Sequence, residues 1–443
     1  MANGTGAPVA YINARLIDPA AGTDGLGSLL VGADGKIADF GPNLFSSGAP
    51  WGIETVDCQR HCLAPGIVDL RVHTGEPGEE HKETLDTAGQ AAAAGGVTSM
   101  CILPDTDPPF DDASLIEFVH RRSRQVRLSK MYAYGALTMD LQGEQLAELG
   151  LLKEAGAVAF TDADRPVGNA QTMRRLLYYA KTFGALIVHL PQEPSLSSGH
   201  MNSGELATRL GLSSSHKLAE AIMLERDLRL VEMTGARYHA SKISTAEGVE
   251  VMRAAKARGL NVTCDTAPHY FALNELAVGD YRTFAKVVPP LRSEADRRAI
   301  VEGLKDGTID CIVSDHRPQD VESKRVPFAM AQPGVVGLET LLPIALELYH
   351  NRHMGLPAIW QRLASTPARL FNLPGGRFEK GAPADLVLFD PDIAWVIDPE
   401  QFNSKTGNTA FDERPTQGRA LLTVVDGRVI YRDTARWPAP ATS

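Results

Sequence analysis

The sequence predicts an α/β protein: a (β/α)8 TIM barrel over residues 65–372, with a small β-sandwich domain formed by both termini, residues 1–64 and 373–443. Three observations carry this. Eight short apolar runs alternate with helical stretches through the middle of the chain. Both ends are β-rich, with strands broken by turn residues. The length of 443 residues suits one large domain or two, and 44% hydrophobic content is enough for a large core without disulfides.

Taken in order, residues 8–64 read as short strands, "VAYINARLID", "GSLLVGADGKIADFG" and "GIETVDCQRHCLAPG", with Asp34-Gly35 marking a turn. The barrel strands follow as "GIVDLRV", "GVTSMCILP", "KMYAYGALT", "GAVAFTD", "GALIVHL", "ARYHASKI", "LNVTCDT" and "GTIDCIVSD". Helical patterns fill most gaps, among them "KLAEAIMLERDLRLVEMTG" and "GVEVMRAAKARG". "AAAAGG", Ala91 to Gly96, reads as a helix C-terminus capped by glycine. "DHRPQDVESKRVPF" reads as a mobile loop over the barrel mouth with solvated charges, and His81-Lys82-Glu83 as an exposed first helical turn. At the C-terminal end "GAPADLVLFDPDIAWVID" and "RALLTVVDGRVIYRD" return to strand character, and Asp426-Gly427 is a hairpin signal. The tail "RWPAPATS" is expected to fray.

Composition excludes several classes. The net charge of −10 and the lack of a basic block argue against nucleic acid as a partner. No apolar stretch is long enough to span a membrane, and the start lacks a basic segment followed by an apolar run, so a cytoplasmic protein is expected. Cys58-x3-Cys62 has no matching second pair, so the five cysteines are expected to be reduced core thiols rather than a zinc knuckle.

In a barrel, chemistry sits where strands end and βα loops begin. The polar residues closing the runs are Arg71 and His73, Asp105, Asp162, His189, His239 with Lys242, and Asp315 with His316. Here "PGIVDLRVHTGEPGEEHKETLDTAGQAAAAGGVTSMCILPDTDPPFDD", "GAVAFTD", "RYHASKIST", "VTCDTAPHYFAL", "VVPPLRSEADR", "IDCIVSDHRP" and "KGAPADLVLFDP" resemble dihydroorotases of the cyclic amidohydrolase superfamily. The resemblance covers nearly the whole chain in order. It implies a metal-dependent hydrolase barrel that opens or closes the dihydroorotate ring in pyrimidine synthesis. Such a site uses zinc to lower the pKa of water and polarise the amide carbonyl, with imidazoles and carboxylates as ligands and an Asp as base.

Carried over residue by residue, the resemblance implies a degraded site. The family's His-x-His becomes Arg71-x-His73. Asp162 matches the ligand of strand four, and Asp315 the base of strand eight. The strand-five His falls at Leu190, or at His189 with a one-residue insertion; the strand-six His falls at Lys242. His189 and His239 have the wrong strand parity to substitute, and read instead as hydrogen-bonded residues of the strand–helix layer. The donors that would clamp a substrate carboxylate fall at Gly75, Asp105 and Gln319. Gly75 has no side-chain donor, and an ionised Asp105 repels a carboxylate. If a metal is bound, His73, Asp162 and Asp315 are its residual ligands; otherwise Arg71 and Lys242 are expected to pair with Asp162 and Asp315.

Two functions follow as expectations. One is a non-catalytic dihydroorotase-like chain without a cofactor, a structural partner of the aspartate transcarbamoylase catalytic chain and a homo-oligomer; "GALTMDLQGEQLAELGLLKEAGAVAF" resembles that degenerate branch. The other is an active zinc-dependent dihydroorotase or related cyclic amidohydrolase with an atypical, mononuclear site and Asp315 as its base. A metal-free ligand-binding role is a third.

Overall fold

The computed structural model describes residues 6–437 apart from 47, 49 and 50, so most of the tail expected to fray, 438–443, lies outside the described residues. Eight strand runs close into a ring. Ile67–Val72, Val97–Ile102 and Lys130–Ala133 pair in parallel. The fourth run is pared down: Phe160 alone bridges Gly135 on one side and Ile187 on the other. Leu186–His189, Arg237–Ala240, Val262–Thr266 and Cys311–Ile312 continue in parallel, and a bridge from His316 to Val72 closes the ring. Every residue of the first two barrel strands is buried, which is why they read as apolar runs rather than alternating ones.

Helices cover the ring, and their ends are written in the sequence. Leu85–Ala94 starts at Thr84, whose hydroxyl accepts from the Thr87 N–H while the Thr87 side chain accepts from the Thr84 N–H. It stops at Gly95 and Gly96. A Cβ on Gly95 would collide with the Leu338 carbonyl, and Gly96 sits at φ +77°. The helix Glu205–Leu210 lies in an excursion after strand five, framed by the short pair Met201–Asn202 and Ser214–Ser215.

The termini meet in one eight-stranded sheet. Its order is Arg428–Arg432, Pro415–Val425, Leu386–Val396, Cys62–Pro65, Val9–Asp18, Thr23–Val31 and Ile37–Gly41, with Glu54–Asp57 also pairing to Val9–Asp18. The seam is antiparallel, Leu386 opposite Pro65. The sheet has its own core, including Tyr11, Leu29, Leu63, Leu388 and Val424. The Asp426-Gly427 hairpin forms as expected, with both residues at positive φ. Trp360 ties barrel to sheet: its Nε1 donates to the Pro65 carbonyl at 2.9 Å, and its ring stacks on Phe389 at 4.5 Å between centroids. The five cysteines are buried free thiols. Among the described residues no helix is long and apolar enough to cross a membrane.

Candidate functional site

The barrel mouth is filled by ion pairs. Arg71 points inward from the first strand and is only 2% exposed. Its Nε donates to Asp315 Oδ1 at 3.0 Å, one terminal nitrogen to Asp164 Oδ1 at 2.6 Å, and the other to Ser241 Oγ at 3.2 Å. Lys242 Nζ reaches Asp164 Oδ1 at 2.6 Å and Asp315 Oδ1 at 3.2 Å. Arg317 pairs with Asp105, and its Nε lies 3.1 Å from Asp164 Oδ2. Three cations thus face the three carboxylates of Asp105, Asp164 and Asp315 in a buried cluster.

The pairing of Arg71 and Lys242 with Asp315 is as expected; their pairing with Asp162 is not. The Asp162 carboxylate turns into its own loop and accepts from the Leu137 N–H at 2.8 Å, the Thr138 N–H at 3.0 Å and the Thr138 hydroxyl at 2.5 Å. Asp164, two residues on, supplies the carboxylate instead. The match of Asp162 to the family's strand-four ligand did not place its carboxylate in the mouth, because the chain leaves the strand after Phe160 and Ala163 takes φ +55°. Lys242 and Asp315 also sit at positive φ, +56° and +49°, which aims both side chains into the mouth.

The other marked positions separate by role. His73 Nδ1 lies 3.0 Å from Asp105 Oδ1 and its Nε2 lies 3.7 Å from Glu79 Oε2, so both ring nitrogens already face carboxylates. Gly75 is at φ +72°, where an added Cβ would press on the Glu79 carbonyl; the tight turn there demands glycine. Gln319 donates from Nε2 to the Pro333 carbonyl at 2.9 Å, away from the mouth. Leu190 is buried. His189 lies in the strand–helix layer, with Nδ1 2.7 Å from Asp227 Oδ2 and Nε2 accepting from the Val167 N–H at 2.8 Å. His239 is held between Thr263 Oγ1 at 2.7 Å and Asp265 Oδ2 at 2.9 Å.

Five residues escaped the reading. Asp164 and Arg317 belong to the ion-pair cluster. The charges of the 315–328 loop were expected in solvent, yet Arg317 is paired and Lys324 is buried, donating to the Gln332 carbonyl at 2.7 Å. Glu83, expected on an exposed turn, is fully buried; it lies 3.5 Å from His316 Nε2 and accepts from Ser404 and the Lys405 N–H. His269 is buried with its Nε2 3.6 Å from Asp315 Oδ2 and without a hydrogen-bond partner among the described residues. No sequence signal marked Asp164, because Asp162 and Asp315 already supplied one carboxylate for each of the two added cations.

The electrostatics follow from burial against pairing. Burial raises the Asp164 carboxyl, but Lys242, Arg317 and Arg71 outweigh it and hold it far below the usual carboxylate range. Asp105 is lowered similarly: burial opposes, and Arg317 and His73 prevail. For His73, burial lowers the imidazole but Asp105 and Glu79 raise it above its ordinary value despite Arg317. His269 goes the other way, down to about 4, because burial dominates the pull of Asp315.

A zinc ion does not fit this donor set. Zinc takes neutral imidazoles and free carboxylate oxygens. Arg71 and Lys242 offer only cations there, and they occupy the oxygens of Asp315. His73, Asp162 and Asp315 are each engaged elsewhere, and no group of three or more His, Cys, Asp or Glu that could hold a metal occurs among the described residues.

The family model described as Dihydro-orotase-like matches residues 60–248. A chain named Dihydroorotase from Anaplasma phagocytophilum (strain HZ) is 46% identical over 428 residues, 96% of this chain and 95% of that one. The chain belongs to the dihydroorotase family. A second relative named Dihydroorotase, from Desulforapulum autotrophicum, is 46% identical over 86% of this chain and 89% of its own. Among solved structures, the L-hydantoinase (dihydropyrimidinase) from Arthrobacter aurescens matches with a TM-score of 0.85 at 25% identity, covering 96% of each chain. The dihydropyrimidinase from Brevibacillus agri NCHU1002 matches with a TM-score of 0.83 at 20% identity and bears on the fold alone. This dihydroorotase-family barrel therefore has the architecture of cyclic amidohydrolases, and a mouth lined by cations where the family resemblance calls for histidines.

Proposed function

We propose that this dihydroorotase-family protein serves pyrimidine biosynthesis without turning over dihydroorotate, as a structural partner of the aspartate transcarbamoylase catalytic chain. The observation that supports this reading is the placement of Arg71 and Lys242 against Asp315. The oxygen that would accept a proton from water is taken by the Arg71 guanidinium and the Lys242 amine. A base must reach the proton it abstracts, and Asp315 is spent on its partners. The substrate side fails for its own reason: Gly75 has no donor, and Asp105, held ionised by Arg317, repels an acidic ligand. The transcarbamoylase as partner rests on the family resemblance alone.

A second reading has its own support. The names of relatives at 46% identity favour an active dihydroorotase more directly than they favour a silent one. In that reading Asp315 must release Arg71 and Lys242 before a metal or substrate enters. Dihydroorotase turnover, assayed with and without added zinc on one purified preparation, separates the two. The proposal expects no turnover in either case, together with co-purification of the transcarbamoylase. Zinc-restored turnover would replace it with the second reading.

A further inference from the structure

Asp164 holds an unusual position for a carboxylate on a loop. It accepts from Arg71 at 2.6 Å and Lys242 at 2.6 Å and lies 3.1 Å from Arg317 Nε. Its side chain is 20% exposed, while Arg71 and Lys242 beneath it are 2% and 1% exposed. It therefore sits on the cations from the solvent side, like a lid. Asp105 and Asp315 instead hold the cations from the ends of barrel strands or directly after them.

The loop is anchored on both sides of Asp164, where the Asp162 carboxylate accepts from Leu137 and Thr138 and the Val167 N–H donates to His189, so Asp164 is held mainly through its own side chain. Its turn is local, with the Arg165 N–H donating to the Asp162 carbonyl at 2.9 Å and the Ala163 N–H to Thr161 Oγ1 at 3.0 Å. Ala163 holds the left-handed conformation, which costs a residue with a Cβ about 1 kcal/mol or more. The cluster around Asp164 is not saturated. Arg317 Nε makes no aligned hydrogen bond despite its short approach, and the buried His269 Nε2 has no partner among the described residues.

We infer that Asp164 is a built-in stand-in for an anionic ligand, and that Arg71, Lys242 and Arg317 form a latent site for a small oxyanion. An arriving carboxylate or phosphate takes the place of the Asp164 carboxylate, keeps the charge balance of the cluster, and frees the Asp164 side chain to turn toward water. Arg71 and Arg317 suit this ligand because a guanidinium offers forked donors to paired oxygens. Lys242 and the idle His269 Nε2 add donors for a further oxygen. The inference rests on the proposed reading of a silent mouth, because it needs Arg71 and Lys242 to stay where they are; its anion requires no metal.

The experiment is thermal unfolding of the full chain and of Asp164→Asn in inorganic phosphate and in malonate, against sodium chloride at matched ionic strength. Asp164→Asn leaves three cations facing two carboxylates. The inference expects phosphate or malonate to raise its melting temperature beyond the chloride control. The unaltered chain should need about tenfold more anion for the same rise, because its own carboxylate competes. Adding Lys242→Met should abolish the gain. A folded Asp164→Asn chain that responds no more than to chloride, or no more than the unaltered chain, overturns the inference. Should Asp164→Asn fail to fold, hydrogen exchange on the unaltered chain decides. Faster exchange over 163–165 in saturating phosphate supports the site, and unchanged exchange overturns it.

Discussion

At the scale of single residues, the mouth is a balance of buried charge. Removing one member of such a cluster leaves another uncompensated, which costs about 3–5 kcal/mol. Lys242→Met is therefore expected to lower stability by about that much in urea unfolding. Tyr238→Phe should cost less, about 1–2 kcal/mol, because Asp227 keeps His189 and Arg226 when the Tyr238 hydroxyl is lost. His269 supplies a pH signature. Its imidazole is held at about 4 by burial, below the ordinary 6.5. On acidification the unfolded chain takes up this proton first, so stability present above pH 6.5 is lost as pH falls toward 4. A shift of this size corresponds to about 3 kcal/mol. Urea unfolding at neutral and acid pH should show that loss in the native chain and a smaller one in His269→Gln. The residue scale is also where the sequence was least legible. The resemblance to the family's strand-four carboxylate placed Asp162 at the mouth. The chain had already left strand geometry there, so Asp164 took the role. Arg317 was hidden for a similar reason, since a loop arginine beside Asp315 reads as solvated until its partners are known.

At the scale of elements, most of the architecture was legible because the signals are local. Fully buried strands write themselves as apolar runs, and seven of the eight runs appear as strands while the fourth survives as the Phe160 bridge. "AAAAGG" ends its helix as expected, though the two glycines act differently. Gly96 supplies the positive φ, and Gly95 makes room for the Leu338 carbonyl. Gly95→Ala is accordingly expected to cost about 1–3 kcal/mol by forcing the helix end off that carbonyl, measured by denaturant midpoint. The excursion Met201–Ser215 was not legible, because its helix has the same amphipathic period as a barrel helix.

At the scale of the whole molecule, the barrel and the terminal sheet depend on each other. The strand Cys62–Pro65 enters the barrel directly, yet it pairs with Leu386–Val396 from the far end of the chain. Lys130 from the third barrel strand pairs with the buried Asp385 at 2.8 Å, and the Thr423 hydroxyl caps the Ala93 carbonyl at 2.7 Å. A chain cut after residue 373 would lose all of these and expose the faces they cover. It is expected to be insoluble or aggregated in size-exclusion chromatography, whereas the full chain elutes as a defined species. The same interdependence explains how a family scaffold can persist when its mouth changes: the interactions that hold the fold lie mainly away from the strand ends where the chemistry would be.

The central claim is that cations have taken the place of a metal at the barrel mouth. A crystal structure of the full chain grown with zinc, with data collected at the zinc absorption edge, tests it most directly. The account predicts no anomalous peak at the mouth and Arg71 Nε still within hydrogen-bond distance of Asp315. An anomalous peak bonded to Asp315, with Arg71 and Lys242 swung away, would contradict it.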